Sequence, residues 1–268
     1  MVPIDLQLLH AVMLTNDPEV TQKALDKLAG ELGKLDPEQA PELVEILSSL
    51  FHIDLGDKPE YVHVVEDTVA TIARIGEPAV PVLMKLMCDA DLKATLMLGR
   101  TLGRIGPPAY GALKDLFYRA QIPHQRVLAL FALAKMHEAA LMEIFPDLVT
   151  ALDDSDREVR DTAARTIGRV VGAFKPGQLP WDTVSQAFER LLFHLNDPSP
   201  MVRSKVVRSI GKLAKNKYLD EEQLDLATEA IKSLLGVNGG AADSLYMVRR
   251  EAEEALQHLR EVAAQPTS

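Results

Sequence analysis

Val159-Arg160-Asp161-Thr162-Ala163-Ala164-Arg165-Thr166-Ile167-Gly168 decides the fold, because the chain writes the same pattern seven times. The pattern is a β-branched or small residue, often followed by Arg, a gap of six, a large aliphatic and a small residue. Val202-Arg203…Ile210-Gly211 is the other clear copy. The aliphatic anchors are Leu28, Ile72, Leu102, Leu133, Ile167, Ile210 and Leu256, spaced 30 to 46 residues apart. The following residue is Ala29, Ala73, Gly103, Ala134, Gly168 and Gly211, and only Gln257 departs. Self-similarity at this period marks a solenoid, in which each unit packs mainly on its neighbours. A solenoid presents a surface, so a binding face is sought before a catalytic pocket.

Each copy resolves into two helical patterns joined by a turn. In the fifth, Ala139 to Leu152 places Leu141, Ile144, Leu148, Val149 and Leu152 at helical spacing. Asp153-Asp154-Ser155-Asp156 then supplies the turn and N-cap residues for a second helix, Arg157 to Val171. The sixth runs Trp181 to Leu195 and Met201 to Ala214 around Asn196-Asp197-Pro198-Ser199-Pro200. The third and fourth read Pro78 to Met87 with Leu92 to Ile105, and Ala109 to Tyr118 with Gln125 to Met136. In the first, Asp17-Pro18 opens a helix over Glu19 to Leu32. Irregular excursions fall at Ile53 to Glu60, Gly172 to Pro180 and Gly236 to Asp243, the last expected to be mobile. Residues 1–262 are thus expected to form one all-α array, with 263–268 a disordered tail.

Composition agrees. Hydrophobic residues make up 47% of the chain but aromatics only 5%, so Ala, Leu and Val must do the packing. The lone Cys88 excludes a disulfide framework and reads as a buried small hydrophobe. Met84, Met87 and Met97 read as core, and Trp181 as packing at the start of its helix. No secretory leader pattern or membrane-length apolar run is present, so a cytoplasmic protein away from membranes is expected. The net charge of −10 is uneven: residues 1–60 hold twelve Asp/Glu against four Lys/Arg, leaving the remaining 208 near neutral. That balance disfavours general nucleic-acid binding but permits a local basic patch.

The strings Ala73-Arg74-Ile75-Gly76-Glu77-Pro78-Ala79-Val80-Pro81, Leu102-Gly103-Arg104-Ile105-Gly106 and Asp17-Pro18-Glu19-Val20 resemble HEAT repeats. They are closest to the short bacterial type found in phycobilisome lyases. The resemblance implies a right-handed α-solenoid of about seven antiparallel helix pairs, with second helices lining the concave face. It says little about function, because the repeat serves scaffolds, regulators, chaperones and a few enzymes.

Helical geometry then sorts the charges. With the anchor as zero and about 100° per residue, positions −8, −4, −3, 0 and +3 face the core. Arg at −7 falls about 20° from the core centre, so it is no simple surface charge. It has an Asp six residues earlier in three repeats: Asp154 with Arg160, Asp197 with Arg203, and Asp243 with Arg249. Such residues suit a ladder of charged hydrogen bonds between adjacent repeats.

Positions +2 and −2 point away from the core. At +2 stand Gly30, Arg74, Arg104, Lys135, Arg169, Lys212 and His258; at −2 stand Arg100, Arg165 and Arg208, with Lys205 at −5 pointing the same way. Arg203 to Lys217 holds six cations and no acid. Two readings of this stripe stand side by side. An exposed helical site favours any long, soluble helix former; alternatively the stripe grips carboxylates or phosphates. Few aromatics interleave it, which disfavours single-stranded nucleic acid.

The histidines His10, His52, His63, His124, His137, His194 and His258 lack metal-ligand spacing. His137-Glu138 is the one His-Glu pair, whereas HEAT-fold di-iron hydroxylases repeat that pair several times. No cofactor, metal or catalytic group is assigned. The leading expectation is a non-enzymatic scaffold or assembly factor that holds an acidic or phosphorylated protein segment on its basic stripe. The alternative is a tetrapyrrole-handling, bilin-lyase-like protein whose basic stripe receives propionates.

Overall fold

The computed structural model describes the backbone of residues 4–136, 138–237 and 239–264, and their side chains except those of Leu92, Glu138, Ala139 and Ala140. His137, the side chain of Glu138 and residues 265–268 of the expected tail therefore lie outside what is described. The chain forms two compact units, Met1–His137 and Glu138–Ser268.

The first unit holds four helix pairs: α1 (Leu6–Met13) with α2 (Pro18–Glu31), α3 (Ala40–Ser48) with α4 (Val62–Ile75), α5 (Val80–Asp89) with α6 (Leu92–Ile105), and α7 (Pro107–Arg119) with α8 (Pro123–Leu133). The second holds three: α9 (Glu138–Ala151) with α10 (Arg157–Ala173), α11 (Trp181–Phe193) with α12 (Pro200–Lys215), and α13 (Glu221–Leu234) with α14 (Tyr246–Ala263). Among the described residues there is no strand, and no helix is long and apolar enough to cross a membrane. Second helix packs on second helix, α2 on α4 on α6 on α8 in one unit and α10 on α12 on α14 in the other. Each unit is a short α-solenoid.

Local chemistry sets the helix ends. Asp17, Asp91 and Asp156 cap α2, α6 and α10 by accepting first-turn N–H groups, and Asp220 forms a capping box with Gln223 on α13. Gly76 and Gly106 take φ of 76° and 78°, conformations that side chains resist, and let α4 and α6 turn directly into the next pair. Helix boundaries fall within about three residues of those read from the sequence, the usual fraying of ends. One excursion is shorter than expected, since α10 runs through Ala173. The 236–245 turn is closed by Asp243 N–H donating to Leu234 O at 2.8 Å.

All seven anchors are buried. On α10, Val159, Ala163, Ala164, Ile167 and Val170 are each 0% exposed, and every large aliphatic so buried contributes about 1.5–3 kcal/mol. The small residue after the anchor has a visible reason. A methyl built on Gly168 would stand 3.1 Å from Ser209 Cβ and 3.2 Å from its Cα, so α12 could not lie as close. Three apolar expectations are corrected. Trp181 is 51% exposed, because α11 begins on the outer surface beside Pro180. Met87 is buried, but Met84 and Met97 are only half-buried. Cys88 is also half-buried, and burial beside Asp89 pushes its thiol up, away from reactive thiolate.

Candidate binding face

In the second unit the turn Asp and the −7 Arg make a ladder with a defined grammar. Arg160 Nη1 donates to the carbonyl of Asp154 at 2.9 Å, six residues back in its own turn. Its Nε and Nη2 then grip the Asp197 carboxylate of the next repeat at 2.7 and 3.1 Å. Arg203 repeats this, with Nη1 on Asp197 O at 2.8 Å and Nε and Nη2 on Asp243 at 2.6 and 3.0 Å. Arg249 makes the own-turn bond to Asp243 O at 2.6 Å. The six-residue spacing therefore links Arg to a backbone carbonyl, while the carboxylate contact crosses to the following repeat. Burial raises the Asp197 and Asp243 carboxyls, but Arg160 and Arg203, with the Ser199 and Leu245 N–H groups, outweigh it and hold both below the usual range.

His194 joins the ladder, a role that spacing alone does not reveal. It is buried, with Nδ1 3.2 Å from Asp197 Oδ2 and Nε2 3.0 Å from Asp153 Oδ1. Arg190 pairs with the same Asp153. Asp153, Asp154 and Asp156 thus have separate duties: a tie to the next repeat, a turn carboxylate that accepts the Asp156 N–H, and an N-cap.

The stripe residues separate into held and unheld cations. Arg208 is held: Nε and Nη2 take both oxygens of Glu251 on α14, and Arg250 shares that buried carboxylate, whose pKa falls under Arg208 first and Arg250 after it. Arg100 is held likewise, forked onto Glu66 of α4. Lys135 is exposed with its ammonium 5.0 Å from the Phe131 ring centre. Arg74 and Arg104 in the first unit, and Arg165 and Arg169 in the second, are exposed and enter no ion pair among the described residues. Lys205 and Lys212 are half-buried and equally without an ion-pair partner there. The acids that hold Arg100 and Arg208 stand at other positions on neighbouring second helices, so comparing the basic columns alone misses them.

The unheld cations of the second unit lie on α10 and α12, and one of them, Lys212, lines a cleft of about 470 Å³ between α12 and α14. Lys212, Lys215, Asn216, Glu254 and His258 line it, with the Arg208–Glu251 pair in its wall. Burial, then Arg208, lowers the Lys212 pKa, so an anion here would relieve an unfavourable charge. On α10, burial raises the Asp161 carboxyl against the opposing pull of Lys205 and Arg165, and its Oδ1 finds no hydrogen-bond partner. The face is cationic on α10 and α12 and turns acidic at Glu254, which stands on α14 at the −2 position held by Arg165 and Arg208.

Stacked second helices tied by turn aspartates and buried arginines define an α-solenoid of helix-pair repeats. Residues 144–174 and 188–217 match the HEAT-repeat family model, and these two segments carry the central rungs of the ladder. Solved structures agree on fold. The chain is similar to the CpcE–CpcF complex of phycocyanin lyase from Nostoc sp. PCC7120, at 20% identity over 66% of this chain and 97% of that one, TM-score 0.53. It is also similar to a designed armadillo repeat protein in complex with peptide (KR)4, at 16% identity over 95% and 99%, TM-score 0.52. An engineered protein matches at 19% identity over 96% and 97%, TM-score 0.50. No curated protein sequence matches the chain.

Proposed function

We propose that the chain is a non-enzymatic binding scaffold whose second-helix face in Glu138–Ser268 holds an acidic protein segment. The observation that carries this is the group Arg165, Arg169, Lys205 and Lys212, cations on two adjacent helices with no ion-pair partner among the described residues. A face built only for solubility would not leave Lys212 half-buried beside Arg208 at the edge of a cleft. Arg suits carboxylate or phosphate through its planar fork, and the lysines add point charge. The designed armadillo protein is in complex with a basic peptide; here the lining charge selects the opposite sign. In the first unit Arg100 is tied to Glu66, and Arg74 and Arg104 stand on α4 and α6 without a second cation group.

The test is fluorescence anisotropy with a labelled Glu-rich peptide, its phosphoserine variant and a Gln-substituted control. The acidic peptides should bind and the control should not, with affinity falling as salt rises to about 0.15 M, where charges beyond about 8 Å are screened. Equal binding of the Gln control would set the proposal aside. A second reading, tetrapyrrole handling, rests on the cleft: about 470 Å³ with Lys212 and Lys215 placed to receive propionates. A stoichiometric visible-spectrum shift on mixing with bilin or haem supports it, and an unchanged spectrum removes it.

A further inference from the structure

Among the described residues, the third rung of the ladder has an unfilled fork. Arg160 and Arg203 each use three groups in the same way: Nη1 on the carbonyl of their own turn, Nε and Nη2 on the next turn's aspartate. Arg249 keeps the first contact, with Nη1 on Asp243 O at 2.6 Å. Its Nε and Nη2 have no partner among the described residues. Arg249 is only half-buried. We propose that this fork is a docking point for an aspartate carboxylate supplied by a partner protein, a site separate from the cationic face of α10 and α12.

The two filled forks specify the occupant. Each carboxylate heads an Asx turn: Asp197 Oδ1 accepts the Ser199 N–H at 2.8 Å, and Asp243 Oδ1 accepts the Leu245 N–H at 3.0 Å. In both, one oxygen is shared between that N–H and Nη2 while the other takes Nε. The ligand is therefore an Asp-x-x turn rather than a diffuse acidic run, whose carboxylates lack that second hold. Gln257 narrows the choice further. It occupies the slot whose small residue lets α12 approach α10, so a helix packed on α14 in the same register would meet its side chain, and a turn-sized segment is favoured. Beside the fork, Leu245 and Tyr246 are 43% and 69% exposed, so the partner turn carries an apolar residue next to its aspartate.

Nitrogen-15 NMR of arginine Nε–H groups tests this in the full chain, because Arg160 and Arg203 supply the signature of a filled fork. The probe is the capped peptide Asp-Pro-Ser, with Asn-Pro-Ser and sodium acetate as controls. The Arg249 Nε–H resonance should move toward those of Arg160 and Arg203 and saturate with millimolar affinity, accompanied by the Leu245 and Tyr246 amides. Neither control should reproduce the shift. The Arg249→Gln variant, its remaining amide spectrum unchanged, should lose the response at Leu245 and Tyr246. An immobile Arg249 resonance overturns the proposal, as does an equal shift with the Asn peptide or acetate. Shifts confined to Arg165, Arg169 and Lys212 overturn it too, while leaving the acidic-segment reading of the other face intact.

Discussion

The two units use one slot in different ways. At the −7 position of its second helices the C-terminal unit has Arg160, Arg203 and Arg249; the first two reach the next repeat's aspartate, and Arg249 holds the carbonyl of its own turn. The N-terminal unit has Thr21, Val65, Thr95 and Arg126 there. Thr21 donates to its own turn at Asp17 O, 2.8 Å away, Val65 is simply buried, and Arg126 Nη1 reaches Ala120 O at 3.0 Å. The first unit's inter-repeat pair Arg100–Glu66 has both side chains more than two-fifths exposed, whereas the second unit's Arg160–Asp197 and Arg203–Asp243 pairs lie largely buried between repeats. The lesson is that the repeat fixes the stacking, while the ladder adds specificity of register. Only the repeats with the central rungs match the HEAT model, at 144–174 and 188–217.

Breaking the ladder gives the largest expected effect. Asp197→Ala removes the partner of Arg160, the acceptor of the Ser199 N–H and a contact of His194 at once. The Arg160 and Asp197 side chains are 12% and 2% exposed, so an unpaired charge stays buried and the loss should reach about 3–5 kcal/mol. Urea unfolding followed by circular dichroism measures it. The matching change in the other unit, Thr21→Val, removes one hydroxyl bond and should cost about 1 kcal/mol. Equal losses would erase the distinction between the units.

Gly168→Ala tests stacking without charge. Its methyl must displace Ser209, whose hydroxyl also donates to Ala164 O at 2.7 Å, so a loss of about 1–3 kcal/mol is expected. Gly111→Ala, with nothing within 4 Å of the added methyl, should be neutral or slightly stabilising by the same assay.

Acid sharpens the comparison more gently. The Asp197, Asp243 and Glu251 carboxyls are held below the ordinary 3.8 of Asp and 4.5 of Glu. A depressed folded-state pKa contributes stability that is complete above those ordinary values and is lost as pH falls through the folded values. The Arg160→Gln variant should therefore lose less stability than wild type between neutral pH and about pH 3, because part of the ladder's acid-labile contribution is already gone. Identical pH profiles for the two proteins would contradict the ladder's role.

The fold was legible because burial repeats: all seven anchors lie inside. The ladder was half legible. Asp154 and Arg160 sit six apart, but that spacing serves a carbonyl, and sequence cannot show that the carboxylate of Asp197 crosses to Arg160. The pairing within the stripe was not legible for the same reason: Glu66 and Glu251 reach Arg100 and Arg208 from neighbouring helices, 34 and 43 residues away. His194 was invisible as a tie because its partners come from two turns, and Trp181 because hydrophobicity alone does not set exposure.

What remains after those corrections is the unheld cation group of the second unit, and one titration addresses it. An acidic Glu-rich peptide is titrated into wild type, into the Arg165→Glu/Arg169→Glu/Lys212→Glu variant, and into the Arg74→Glu/Arg104→Glu variant, each with its helical circular dichroism intact. Three reversed charges at about 1 kcal/mol each should weaken binding by roughly 100-fold in the first variant, with less than about threefold change in the second. Wild-type affinity in the first variant would contradict the assignment of the binding face.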